Sequence, residues 1–393
     1  MTLRLLTSGE SHGPALLAIL EGLPAGLPLD VAPINHDLAR RQHGYGAGPR
    51  MKIERDEVRI LGGVMEGQTT GGPLGLYIQN RDHTRWRGRA IAPFTVPRPG
   101  HADLAGALKY GYRDLRPALE RASARETAAR VAAGAVCRQL LARFGAQVGG
   151  YVVAIGSVSA DLEPIPLEAR IQIALENEVH CPDERAAEAI GAASQAAMQS
   201  RDTLGGVIEA LALGLPPGLG SFAHWERRLD ARLGAALLSI PAIKGVEIGP
   251  AFEMARLPGT QAQDPVDLRD GRLVRPSLRS GGLEAGVTTG QPLVVRAAMK
   301  PIPTTLTPQP SVDLRRGEPV QTHYERSDFC PVPRAVVIVE AMLAFVLAEA
   351  LLEKLGGDSI EEMLPRSQAL RQARLDDLHI DGVEHVFWPE EAE

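Results

Sequence analysis

Two periods organise the apolar residues of this chain. Short apolar runs bounded by Gly, Pro or Asn read as strands: residues 3–7 (LRLLT), 15–23 (ALLAILEGL), 58–64 (VRILGGV) and 73–80 (PLGLYIQN). Residues 205–220 (GGVIEALALGLPPGLG) read as a further strand and turn. Helical spacing marks residues 34–42 (INHDLARRQ), 188–201 (EAIGAASQAAMQSR) and 228–239 (RLDARLGAALLS). The clearest helix is expected from Ser123 to about Phe144, opened by a capping box between Ser123 and Glu126 and stopped at Gly145. A last strong helix is expected from about Val336 to Leu355. Its run AVVIVEAMLAFVLAEALLEKL is interrupted by Glu340 and Glu349, so it reads as a buried helix rather than a membrane span. Residues 81–100, rich in Arg and Pro, read as a long functional loop. The end, WPEEAE, reads as a solvated acidic tail.

One similarity inside the chain suggests duplication. LEGLPAGLPL (20–29) resembles LALGLPPGLG (211–220): each has an apolar lead, a Gly-Leu-Pro turn and an Arg-bearing helix after it. The expectation is one large domain over residues 1–393, of two similar halves with a boundary at roughly 150–200.

Charge and composition narrow the chemistry. With a net charge of -6, the 393-residue chain is not a general nucleic-acid binder, and anion binding must come from a local arginine cluster. Aromatics at 4% argue against base stacking. Three widely spaced cysteines, Cys137, Cys181 and Cys330, show no metal-ligand spacing. With no signal-peptide pattern at the start, they lead us to expect reduced thiols and a cytoplasmic protein.

Residues 9–13 (GESHG) match G-x-S-x-G, which makes Ser11 a candidate hydrolase nucleophile. Against it, Ser11 sits too near the N-terminus for a further, earlier strand to supply an oxyanion hole, and a strand-like segment rather than a long helix follows. His12, between Ser11 and Gly13, is the better chemical group. His101 has a similar setting after a Pro-Gly turn, with Arg98 three residues upstream. Arg40, Arg41 and Arg50 surround a glycine-rich loop, Arg121 and Arg125 sit at a helix start, and Arg326 lies in ERSDFC. Guanidinium forks beside Gly, Pro and helix N-termini suit a small ligand with several negative charges. No G-x-x-x-x-G-K-[ST] is present.

These motifs together resemble the chorismate synthase family. The resemblance rests on GESHGPALLAILEGLP, RPGHADLAGALKYG, ERASARETAARVAAGAV, SIPAIKGVEIG, MKPIPT and ERSDFCPVPRAVVIVEAML, in family order from residue 9 to about 344. It implies an α+β fold, a single large domain with helices sandwiched between antiparallel β-sheets and an internal pseudo-repeat, typically as a homotetramer. It implies a lyase that converts 5-enolpyruvylshikimate 3-phosphate to chorismate by 1,4-anti elimination, using reduced FMN with no net redox change. By this resemblance His12 protonates the departing phosphate, His101 stabilises or protonates the reduced flavin, and Asp328 works with flavin N5 in removing the C6 hydrogen. Arg41, Arg50, Arg98, Arg125 and Arg326 clamp phosphate and carboxylates. Arg121, Ala122, Ser123, Pro241, Ala242, Ala285, Lys300, Pro301, Ile302, Pro303, Thr304 and Arg326 contact FMN. Ala47 stands where many members carry Arg, a position the family also links to NADP(H), and Arg50 or Arg40 is expected to compensate. Pro241 replaces a common Asn, Ala285 a frequent Gly, and Phe329 a smaller residue. No segment reads as an added reductase, so the flavin is expected to come reduced from a separate flavin reductase. The rival readings are a hydrolase using Ser11 and a non-catalytic anion-binding protein on the same fold.

Overall fold

The structure, a computed structural model, describes residues 2–43, 55–322 and 328–388. The first half runs β1 (Arg4–Ser8), β2 (Ala15–Glu21), α1 (Val31–Gln42), β3 (Val58–Gly62), β4 (Val64–Met65), β5 (Gln68–Thr69) and β6 (Leu74–Gln79). After a long loop come α2 (Asp103–Tyr110), α3 (Arg116–Arg121) and α4 (Thr127–Arg143). Next are β7 (Gln147–Ile155), β8 (Val158–Ser159), α5 (Leu167–Ala174), α6 (Glu184–Gln199), β9 (Gly206–Leu213), α7 (Leu229–Leu238) and β10 (Ile243–Ile248). Small elements α8 (Ala251–Met254), α9 (Gly259–Ala262), β11 (Asp267–Arg269), β12 (Arg272–Val274), β13 (Leu283–Glu284) and β14 (Val287–Thr288) precede β15 (Leu293–Met299). The hairpin β16 (Pro310–Asp313) and β17 (Glu318–Gln321), then α10 (Val332–Leu355) and α11 (Ile360–Gln368), complete the order.

Two open antiparallel sheets result, ordered β1-β2-β6-β3 and β10-β15-β9-β7-β8. Alternation in β2 turns Leu16, Ala18 and Leu20 into the core. Helix α4 lies on β2 and β6, α10 lies on β7 and β9, and α1 packs against both helices. The two central helices are apolar on nearly every face, as helices enclosed between sheets must be. They approach so closely that a Cβ at Gly134 would collide with Ala341. One continuous core of buried residues runs through these layers.

α10 is long and apolar enough to cross a membrane by length and composition, yet 89% of its apolar window is buried inside this fold. Its Glu340 is fully buried, with a pair of hydrogen bonds from Arg40 at 2.7 and 2.8 Å. Burial opposes ionisation of Glu340, but Arg40 and Arg138 outweigh it and lower its pKa.

The two Gly-Leu-Pro turns close in the same way. Thr69 Oγ1 donates to the Pro24 carbonyl and accepts from Leu27 N, while its backbone bonds Gly26 N and the Leu27 carbonyl. Thr288 Oγ1 donates to the Pro216 carbonyl and accepts from Leu219 N, while its backbone bonds Gly218 N and the Leu219 carbonyl. Both threonines open a near-identical stretch, TTGGPL and TTGQPL, that leads into β6 and β15.

The structure differs from the sequence reading at two points, the start of α4 and the start of α10, and agrees with it on Ser11. The expected capping box does not form: Ser123 Oγ accepts from Arg125 N at 3.3 Å, but Glu126 accepts a tertiary bond from Thr7 and pairs with Arg130 one turn along the helix. Before α4 the chain therefore makes a 3-10 turn, Ala124–Glu126. The last helix begins at Val332, four residues earlier than expected, because Pro333 suits its first turn. Ser11 lies in the turn of the β1–β2 hairpin, so the strand-turn-helix of a nucleophile elbow is absent there.

Candidate active site

The β1–β2 turn holds His12, and its geometry comes from α3. Glu120 accepts from His12 N at 2.8 Å through one oxygen and meets His12 Nδ1 at 2.7 Å through the other. At that distance a bare Nδ1 would oppose lone pairs to the carboxylate, so Nδ1 carries the hydrogen. Burial opposes ionisation of Glu120, but the ring and backbone bonds from His12 outweigh it and lower its pKa. Trp86 packs on the imidazole with ring centroids 4.3 Å apart, and His83 Nδ1 bonds the His12 carbonyl at 2.9 Å. The loop expected to be functional thus covers His12. Ser11 is buried and its hydroxyl accepts from Ser123 Oγ at 3.2 Å.

Behind His12 lies a set of buried charges. Asn80 Nδ2 donates to the carbonyls of Glu10 and Gly13, while its Oδ1 accepts from Arg125 Nε at 2.9 Å. Arg125 Nη1 meets Asp56 Oδ2 at 2.6 Å. The same Asp56 oxygen lies 3.7 Å from Arg41 Nη1, and Arg41 also donates to Thr127 Oγ1 and the Ala124 carbonyl. Asp328 pairs with Arg334 at the start of α10. Arg40, one residue before Arg41, points instead to Glu340 and Asp37. It is committed to the core and does not compensate for Ala47.

The second imidazole is held by a different device. Asp103, at the start of α2, is fully buried; it accepts from Arg98 N, Nε and Nη2 and from His101 Nδ1, the last at 2.7 Å. Burial would raise the Asp103 pKa, but the Arg98 and His101 bonds hold it well below the usual carboxylate range. Arg98 is therefore tied to its own carboxylate. His101 faces a groove of about 610 Å³, bordered by Leu104, Leu108, Ser311 and Leu314. Neither His12 nor Asp328 borders that groove. The two cradles share a support: α2 and α3 pack where Gly106 meets Ala118, and a Cβ at Gly106 would come within 2.6 Å of the Ala118 methyl.

Two of the expected flavin segments, 241–242 and 300–304, are joined by a direct bond. Arg121 donates to the carbonyls of Gly9 and Thr7, beside Ala122 and the half-buried Ser123. Ala242, at φ 68°, accepts from Lys300 N at 3.0 Å. Lys300 Nζ donates to the Gly100 carbonyl at 2.8 Å, next to His101, and the Ile302 carbonyl accepts from Thr203. Pro241 precedes Ala242, and Pro301, Pro303 and Thr304 continue the strip beyond Lys300. Cations, a hydroxyl and an irregular Pro-rich strip are donors and walls that fit a flat phosphorylated group. Ala285 is placed apart, since Gly286 bonds the first residue of α7 whereas Pro241 follows that helix's end. Arg50, Arg326 and Ala47 lie outside the described residues.

Asp103, Glu120, Asp56, Asn80, Trp86 and Arg334 were missed from the sequence. Asp103 had a local signal, the H-x-D spacing after His101. Glu120 had none, being 108 residues from its histidine.

Two imidazole–carboxylate pairs lie beside buried guanidiniums, groups whose chemistry suits a small polyanion. The chain belongs to the chorismate synthase family, whose family model matches residues 3–352. The chorismate synthase of Moorella thermoacetica is 54% identical over 379 residues, covering 94% of this chain and 98% of that protein. The Aquifex aeolicus chorismate synthase is 50% identical over 382 residues, covering 93% and 96%. A crystal structure of chorismate synthase matches with a TM-score of 0.78 at 44% identity, covering 94% of this chain and 97% of that one. The chain is accordingly a lyase of the chorismate-forming step in the shikimate pathway.

Proposed function

We propose that the chain eliminates phosphate from 5-enolpyruvylshikimate 3-phosphate at the His12 site with reduced FMN beside His101. Reduced FMN, when bound, supplies the electron density that helps expel phosphate and recovers it, so no net oxidation results. The protein's own share is binding, orientation and proton handling. Arg41 and Arg125, with Arg50, Arg98 and Arg326 from the sequence, hold the phosphate and carboxylates. His12, its Nδ1–H on Glu120, gives a proton from Nε2 to the phosphate as the C3–O bond breaks. Asp328 assists loss of the C6 hydrogen, and His101 faces the flavin. Arg121, Ala122, Ser123, Pro241, Ala242 and Lys300 to Thr304 would hold the cofactor. Ala285 and the NADP(H) link of position 47 belong to the same reading.

The observation that supports it most is the pairing of both family histidines with a carboxylate through Nδ1. In each case the carboxylate fixes the orientation of the ring. The matching Thr69 and Thr288 turns support an internal pseudo-repeat within one domain. Leu6, Leu17 and Ile19, exposed on the outer face of the four-stranded sheet, support self-association to the tetramer. A separate flavin reductase and a cytoplasmic site remain parts of the same proposal. The test is anaerobic turnover with dithionite-reduced FMN: one chorismate per phosphate released is expected. Turnover at the same rate without flavin would refute the cofactor's role.

A further inference from the structure

We infer that Asn80 is a positioning residue for the elimination: its buried amide ties the His12 turn to Arg125, so that the proton donor and an anion-holding guanidinium keep one fixed relation. This rests on the proposed roles of His12 and Arg125 and adds a residue to them. Asn80 directly follows β6 and is 1% exposed. Its Nδ2 donates to the Gly13 carbonyl at 2.8 Å and to the Glu10 carbonyl at 3.1 Å, on either side of His12. Its Oδ1 accepts from Arg125 Nε at 2.9 Å. Its backbone N–H donates to the Pro14 carbonyl at 3.1 Å, and three residues on, His83 Nδ1 meets the His12 carbonyl at 2.9 Å. The N–H groups of Ser11 and His12 go the other way, to the Glu120 carbonyl and carboxylate. The turn is thus gripped from both sides, by residues 80 and 83 through its carbonyls and by Glu120 through its N–H groups.

The partners dictate the residue. Backbone carbonyls only accept and a guanidinium only donates, so the bridging side chain must offer two N–H groups at one end and an oxygen at the other. That also fixes which way the amide points, since a flipped Asn80 would set its oxygen against two carbonyls and its NH2 against Arg125. Asp would oppose an oxygen to the same carbonyls, Leu would pair with nothing, and Gln is one methylene too long for a buried, close-packed place. Arg125 is braced at its other end by Asp56, through Nη1 at 2.6 Å, and both side chains are buried. A continuous line of bonds therefore runs from Asp56 through Arg125 and Asn80 to the turn that carries His12. Asn80 acts through these groups, and a displacement of about 1 Å in a reacting group can cost about 10²-fold in rate.

The test is a double-mutant cycle on the full chain with reduced FMN: wild type, Asn80→Ala, His12→Ala and the double variant. Asn80→Ala alone should lower kcat about 10- to 100-fold and raise KM severalfold, as the His12 turn slackens and Arg125 loses a brace. In the His12→Ala background the same change should lower kcat by about twofold at most, because no donor is left to misplace, while the rise in KM persists. Equal kcat losses in both backgrounds would mean that Asn80 only stabilises the fold, and would overturn the inference; so would wild-type kcat in Asn80→Ala. Should Asn80→Ala fail to fold, Asn80→Asp replaces it in the cycle, since it keeps an acceptor for Arg125 and loses both donors, and the same kcat pattern is expected. If wild type makes no chorismate, the functional reading fails separately. Positioning is then read from amide hydrogen exchange: residues 9–15 should exchange about tenfold faster in Asn80→Ala, with β9 (Gly206–Leu213) unchanged. Unchanged exchange over residues 9–15, or equal acceleration in both segments, overturns it.

Discussion

His12 and His101 are held by the same first contact and by opposite surroundings. Each gives Nδ1 to a carboxylate at 2.7 Å. Asp103 is fully buried and already matched by Arg98. Glu120 keeps 12% of its side chain exposed and, among the described residues, takes its close side-chain bonds from His12, with the Arg116 charge also acting on it. Glu120 is therefore a support for His12 at a site partly open to water. Asp103 is instead a buried support that His101 shares with Arg98. One contact thus fixes the tautomer in both places, while the carboxylate's other partners differ between them.

The largest expected effect tests whether both rings act. His12→Ala and His101→Ala should each lower kcat by about 10²–10⁴ with melting temperature little changed. Wild-type turnover in either variant removes that ring from the mechanism. Next comes stability. Asp103→Asn should cost about 3–5 kcal/mol in urea unfolding, because it leaves Arg98 buried without its counter-charge. Glu120→Gln should cost only about 1 kcal/mol, since its site is partly open to water. Equal losses would erase the contrast between the cradles.

The contrast also has a pH signature. Asp103 and Glu120 both have depressed pKa values, from ordinary values of 3.8 and 4.5. Their stabilisation is full above those ordinary values and fades as pH falls through the lower folded ones. The deficit of Asp103→Asn should therefore shrink between pH 7 and about pH 3 in urea midpoints; a constant deficit would place its cause outside the carboxylate charge. The smallest effect concerns the loop over His12. Trp86→Leu should lower kcat/KM by roughly tenfold or less, the worth of one ring contact, and leave Asp103-dependent stability untouched.

Much of this was legible in the sequence. Alternating apolar runs located β1, β2, β3, β6 and β9, and long motifs singled out both histidines. The unread parts depend on distance and direction. Arg40 and Arg41 are neighbours, yet a helix turns about 100° per residue, so one reaches Glu340 and the other Thr127 and Asp56. Arg334 is hidden at the head of an apolar run, where its charge has meaning only once Asp328 is folded beside it. Glu126 looked like a capping residue because the sequence does not display Thr7 waiting across the fold.

The account is tested most directly by an anaerobic crystal structure with reduced FMN and 5-enolpyruvylshikimate 3-phosphate bound. It predicts His12 Nε2 about 3 Å from a phosphate oxygen and His101 Nε2 facing the flavin ring. Substrate and flavin seated out of reach of both imidazoles would contradict it.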